Sequence, residues 1–161
     1  MPSAWTFTIK PIKELLDEEV GQGGVGWADP FAGDNSPAEM TNDINTKRAA
    51  TSHMDAIDFL QSIPDSSLDG ILLDPPYSLR QVSEHYKAAG VKVTGWHTSA
   101  GWMSKIKDEA ARALKPGGKA ICFGWSSMGL GKGRNCEMSR VLLVPHGGSK
   151  NDTLVTVETK L

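Results

Sequence analysis

The sequence predicts a three-layer α/β domain with a mainly parallel sheet and an antiparallel C-terminal strand pair. Three observations carry that prediction. Short apolar runs alternate with segments of helical periodicity, the order expected of repeated strand–helix units. The run Gly70-Ile71-Leu72-Leu73 stops at Asp74-Pro75-Pro76-Tyr77-Ser78, where two prolines remove backbone donors and push the chain out of helical geometry. Apolar segments at 141–145 and 153–158 flank His146-Gly147-Gly148, a turn that would fold the last pair antiparallel. At 161 residues the chain suits one domain with a proper core, spanning 1–161, and is too short for two.

The elements follow in order. Residues 9–18 place Ile12, Leu15 and Leu16 at helical spacing with Pro11 in the first turn, and the glycines from Gly21 to Gly26 end that helix. Residues 25–28 read as a short strand running into Asp29-Pro30-Phe31-Ala32-Gly33. A second strand covers 39–44 and ends at Asp43; 46–50 is one helical turn, and 51–54 a third short strand. Asp55 is placed to cap a helix carrying Ala56, Ile57, Phe59 and Leu60. Residues 68–73 form the fourth strand, closed by Asp74, and 79–99 a long polar connection containing Trp96 and His97. Residues 100–114 repeat Trp102, Met103, Ile106, Ala110, Ala113 and Leu114 on one helical face. Lys115-Pro116-Gly117-Gly118 stops that helix, 119–125 is a fifth strand, and a loop rich in Gly, Ser and Lys follows at 126–135.

Composition narrows the function classes. No apolar run approaches a membrane span and no charged-then-apolar leader opens the chain, so a cytoplasmic protein without membrane contact is expected. Cys122 and Cys136 lack metal-ligand spacing, so no metal is expected and a reducing setting is. The net charge of −2 sits poorly with a polyanionic partner. Basic residues nevertheless gather at Arg80, Lys87 and Lys92 and again at Lys132 and Arg134, so such a partner would meet one face only. Gly129, Gly131 and Gly133 could cradle phosphate but lack the spacing of a nucleoside-triphosphate loop.

Asp74 closes a strand, and in an open α/β sheet ligands bind at the carboxyl ends of strands. A carboxylate, free carbonyls and the face of Tyr77 gathered there could accept hydrogen bonds from a planar amine while the ring stacks on its heterocycle. Asp74-Pro75-Pro76-Tyr77 resembles the catalytic signature of the amino-methyltransferases, which use S-adenosylmethionine to methylate the exocyclic amine of adenine or cytosine. The resemblance spans residues 7–125, about three quarters of the chain. It implies a Rossmann-like class I methyltransferase fold and a set of roles. Asp29-Pro30-Phe31-Ala32-Gly33 resembles the loop that approaches the methionine part of the cofactor, where a Cβ at Gly33 would obstruct. Asp43 is placed to accept from the ribose hydroxyls, Asp55 to take the adenine N6, and the Ala56 N–H a ring nitrogen. Phe7, Thr8 and Lys10 fall in the segment that closes over the methionine end. Asp74 and the Pro75 carbonyl would accept the two N–H bonds of the target amine, with Pro76 shaping the turn and Tyr77 stacked on the base. Ser78 and Arg80 would contact the target nucleotide, Arg80 at a phosphate, and Trp96 and Trp125 would stack on or wedge beside a flipped base.

The family's pattern is broken in two places. Only about ten residues separate Gly33 from Asp43, and Pro37 is among them, so the helix expected there is missing or a single turn. No target-recognition domain of substantial length is expected in these residues, so sequence preference would be weak, or come from 79–99, or from a second copy in a homodimer sharing a DNA surface. The expected activity is site-specific DNA adenine-N6 methylation, since the motif begins with Asp where the cytosine enzymes more often carry Ser. The alternatives are cytosine-N4 or RNA adenine methylation, or a protein that binds or consumes S-adenosylmethionine without modifying nucleic acid.

Overall fold

The computed structural model describes residues 5–148 and 151–161. Its strands are β1 (Trp27–Asp29), β2 (Met40–Thr41), β3 (Leu68–Leu73), β4 (Leu114–Gly124), β5 (Cys136–Val144) and β6 (Thr153–Lys160). Its helices are α1 (Lys10–Glu19), α2 (Ala56–Ser62), α3 (Leu79–Ala88) and α4 (Ala100–Ala113). The strands form one sheet in the order β2-β1-β3-β4-β6-β5. The first four are parallel neighbours, and β6 runs antiparallel between β4 and β5.

Strand alternation assigns the two faces. Ile71 and Leu73 of β3, with Ala120 and Cys122 of β4, join a core with α2, α3 and α4. The intervening Leu72, Ile121 and Phe123 pack instead with Ile12, Leu15 and Leu16 of α1. Side chains pointing both ways from a buried strand explain why 70–73 reads as a continuous apolar run. Gly70 leaves its face bare because the Trp27 indole lies there, 2.3 Å from where a Cβ would sit. At the far edge, the 146–148 turn is pinned by His146 Nε2 on Thr153 Oγ1 at 2.8 Å and by its N–H to Asp152 at 3.0 Å.

The structure corrects the sequence reading in five places. The third strand at 51–54 reduces to an isolated parallel bridge, Asn42 to Ser52, and the strand at 39–44 keeps only Met40–Thr41 in its ladder. Side chains take over the missing ladder. Thr51 Oγ1 donates to the Thr41 carbonyl at 2.8 Å, and Asn42 bridges Pro30 and Met54. The polar connection at 79–99 opens with helix α3, which Ser78 caps by accepting the Gln81 N–H at 3.3 Å. Two later strands begin early: β4 at Leu114, through Lys115-Pro116-Gly117-Gly118, and β5 at Cys136. No helix lies between Gly33 and Asp43, so the sheet is bare of one there. Among the described residues no helix is long and apolar enough to cross a membrane.

Candidate active site

The carboxyl ends of β1, β2 and β3 converge, and each delivers a buried Asp. Asp29 is fully buried; its Oδ1 accepts the Phe31 N–H at 2.9 Å and its Oδ2 the Ser36 hydroxyl at 2.7 Å, so it organises its own loop. Burial pushes its pKa up to about 7, against those two hydrogen bonds. The folded chain therefore holds this proton more tightly than the unfolded one, and on this group's account stability falls as pH rises from about 4 to about 7. Asp29→Asn should gain stability relative to the parent across that window, measured by chemical denaturation at several pH values. A difference that does not change with pH would contradict the burial argument.

Asp43 sits opposite. Its Oδ2 accepts the Gly33 N–H at 3.1 Å, its Oδ1 accepts the Asn45 N–H at 2.8 Å, and His85 Nε2 lies 3.6 Å away. Burial works to raise its pKa, but the His85, Asn45 and Gly33 contacts outweigh it and hold the carboxyl below the usual range. Gly33 is required here for its left-handed backbone (φ 56°); a Cβ would meet no described atom within 4 Å. Asp55 caps α2 by accepting the Ile57 N–H at 2.8 Å, and its other oxygen takes the Tyr86 hydroxyl at 2.5 Å. His97 closes over that pair, its ring 4.6 Å from Tyr86 and its Nε2 3.9 Å from Asp55.

Asp74 ends β3 and is buried, and that burial pushes its pKa up to about 6. The hydroxyls of Tyr77 and Thr6 donate to it, which favours the anion and limits the rise. Tyr77 turns its ring toward Trp125 in an edge contact, centroids 5.6 Å apart. Next to this turn lies a cavity of about 210 Å³. Pro75, Pro76 and Tyr77 form one wall, Met103, Ile106 and Lys107 of α4 a second, and Cys122 through Ser126 with Met128 the rest.

The remaining expected site residues divide. Phe7 is buried, its ring 5.4 Å from Phe123, while Thr8 and Lys10 face solvent, Thr8 on the Trp5 carbonyl and Lys10 4.0 Å from Glu14. Pro30, Phe31, Asp43, Ala56, His85 and Tyr86 surround one small space. Ser78 is spent as a helix cap and Arg80 pairs with Glu84 at 2.7 Å. Trp96 covers Gly101 at the start of α4, half-exposed, and is not among the residues lining the cavity beside Tyr77, whereas Trp125 is. Thr6, His85 and Tyr86 complete the carboxylate network, Asn42 ties Pro30 to Met54, and all four carried no signal in the sequence beyond adjacency to expected residues.

Asp43, just past the end of β2, and Asp55, at the cap of α2, have the chemistry to hold a nucleoside. The space does not fit one. Between Asp43, Ala56, His85 and Tyr86 only about 10 Å³ is free, enough for a single water.

No family model matches the sequence, and no curated protein sequence does. Solved structures do share its architecture. TrmN from Thermus thermophilus superposes with a TM-score of 0.60 at 19% identity, covering 92% of this chain and 48% of that one. This chain thus spans about half the length of that neighbour. A 1,6-didemethyltoxoflavin-N1-methyltransferase from Burkholderia thailandensis, bound to its substrate and S-adenosylhomocysteine, gives 0.60 at 12% identity over 99% of this chain and 79% of its own. A SAM-dependent methyltransferase from Archaeoglobus fulgidus gives 0.57 at 10% identity, covering 94% of each. The fold is the Rossmann-like methyltransferase fold. Identities this low speak to architecture alone.

Proposed function

We propose that this chain is an S-adenosylmethionine-dependent methyltransferase acting on the exocyclic amine of a nucleic-acid base, with adenine N6 of DNA as the leading substrate. The observation that carries this reading is Asp74-Pro75-Pro76-Tyr77 at the end of β3, beside a cavity of about 210 Å³ walled by Trp125, Met103 and Ile106. That space suits one planar base, and its walls are mainly apolar. Asp74 Oδ1 already accepts a hydroxyl donor from Tyr77, and an amine N–H that displaced it would use the same acceptor. The Pro75 carbonyl, with no ladder partner beyond the end of β3, would take the second N–H. Both contacts favour the positive charge that develops on the nitrogen, so they strengthen toward the transition state. Stacking by Tyr77 would require its hydroxyl to leave Asp74.

A second reading is favoured by the arginines. All five are paired with carboxylates: Arg48 with Asp34, Arg80 with Glu84, Arg112 with Asp65 and Glu109, Arg134 with Asp108, and Arg140 with Glu18. With net charge −2, that surface suits a small amine or single nucleotide better than a polyanion. The deciding experiment supplies methyl-labelled S-adenosylmethionine with duplex DNA, single-stranded DNA, RNA or free nucleosides, followed by nucleoside mass spectrometry. Label in N6-methyl-deoxyadenosine is expected. Label only in RNA, cytosine or a free nucleoside would move the substrate, and cofactor binding without label in any base would overturn base methylation.

A further inference from the structure

We propose that α3 is a gate, held shut by His85 on Asp43 and Tyr86 on Asp55, that must swing away before the nucleoside half of the cofactor can bind. The inference rests on the methyltransferase reading and explains why the space between Asp43, Ala56, His85 and Tyr86 has room for only one water. Tyr86 donates to Asp55 at 2.5 Å and His85 Nε2 stands 3.6 Å from Asp43, so the chain itself occupies the acceptors that ribose and adenine would use. A ligand reaching them must break both contacts.

The surroundings allow that movement. Only Val82 and Tyr86, of the ten residues of α3, are buried, so the helix is lightly anchored. It hangs between the Pro75-Pro76 turn and Gly90, whose positive φ (75°) marks a turn at its far end. On its other flank lies an open groove of about 320 Å³, lined by Asn45, Arg48, Pro76, Gln81, Glu84, His85 and Ala88. His85 borders both the sealed space and this groove. It is the partition between them, and displacing it would join them into a volume of the size that holds small ligands. Because Ser78 follows the amine-accepting turn directly and caps α3, movement of the helix is tied mechanically to the residues beside Asp74.

A gate that is mostly shut lowers apparent affinity by the fraction of molecules open. The test is calorimetric titration of the full chain with S-adenosylhomocysteine, together with amide hydrogen exchange over residues 79–90. Tyr86→Phe keeps the ring but removes the donor to Asp55, and His85→Asn weakens the partition. Each should bind about fivefold to tenfold more tightly than the parent, as expected when a closing contact is removed. In the parent, ligand should speed exchange in α3 while slowing it at the end of β1. Binding of the parent with unchanged exchange in α3, and equal affinities in both variants, would overturn the gate and leave the methyltransferase reading standing. Absence of binding in the parent, both single variants and the double variant would overturn both.

Discussion

Asp74→Asn should lower turnover by about 10³-fold while leaving cofactor affinity within a few-fold of the parent, a magnitude typical of removing one group that stabilises developing charge. The substitution keeps the shape of the side chain but replaces an anionic acceptor with one that is half donor. The parent's rate should climb with pH through about 6, where burial has placed the Asp74 titration, because only the anion can accept from both the amine and its neighbours. That limb should vanish in the variant. Stability should move the other way. The folded pKa lies above the unfolded one, so the ionised carboxylate disfavours the folded state increasingly from pH about 4 to about 6 and fully above it. At neutral pH Asp74→Asn should therefore melt higher than the parent. Loss of rate with gain of stability is what a functional carboxylate in an apolar site predicts; a variant within tenfold of parental turnover would remove Asp74 from the mechanism.

The second large effect is structural and lies on β6. Glu158 is 1% exposed and accepts the N–H groups of Leu130 and Gly131, the latter at 2.9 Å. From the other side Lys107 Nζ donates to the carbonyls of Met128 and Gly129, both at 2.8 Å. The loop is thus gripped by an anion at its amides and a cation at its carbonyls. Gly129 is glycine because a Cβ would sit 1.9 Å from Glu158 Oε2. Glu158→Ala removes both charge-assisted bonds from buried donors and should cost about 2–4 kcal/mol. Calorimetry should show a drop in Tm of roughly 10 °C. Because Met128 lines the cavity beside Tyr77, substrate KM should rise more than kcat falls. An unchanged Tm would mean that the loop is held elsewhere.

What the sequence disclosed depended on how strongly each segment commits to one period. Residues 68–73 form β3 as read, since the apolar run at 70–73, bounded by Asp69 and by Asp74 with two prolines, has few other solutions. Helix α4 was equally plain from its stripe of Trp102, Ile106 and Ala110. Helix α3 was hidden because Arg80, Gln81, Ser83, Glu84 and Lys87 dilute its two buried positions, Val82 and Tyr86, below a readable stripe. The signal that could have found it is local: Ser78 followed three residues later by Gln81, a start pattern whose glutamine instead accepts the Tyr77 N–H at 2.7 Å. Around the site, acids after strands were legible at Asp29, Asp43 and Asp74, and the helix-capping acid at Asp55. Their partners were not, because Tyr86 lies 31 residues from Asp55, and no local rule pairs residues so far apart.

The placement of β6 has a consequence for how the molecule assembles. β5 is emitted by the ribosome before β6, yet among the described residues it pairs only with β6, and β6 pairs with β4. Until residues 153–160 emerge, β5 has no strand to join and the edge of β4, with Ile121 and Phe123, stays open. An open apolar edge is the surface on which nascent chains associate with one another. The parallel half of the sheet can form during synthesis, but its exposed side is sealed by a strand made later than the one outside it. Productive folding is thus a race between delivery of that strand and capture of the open edge.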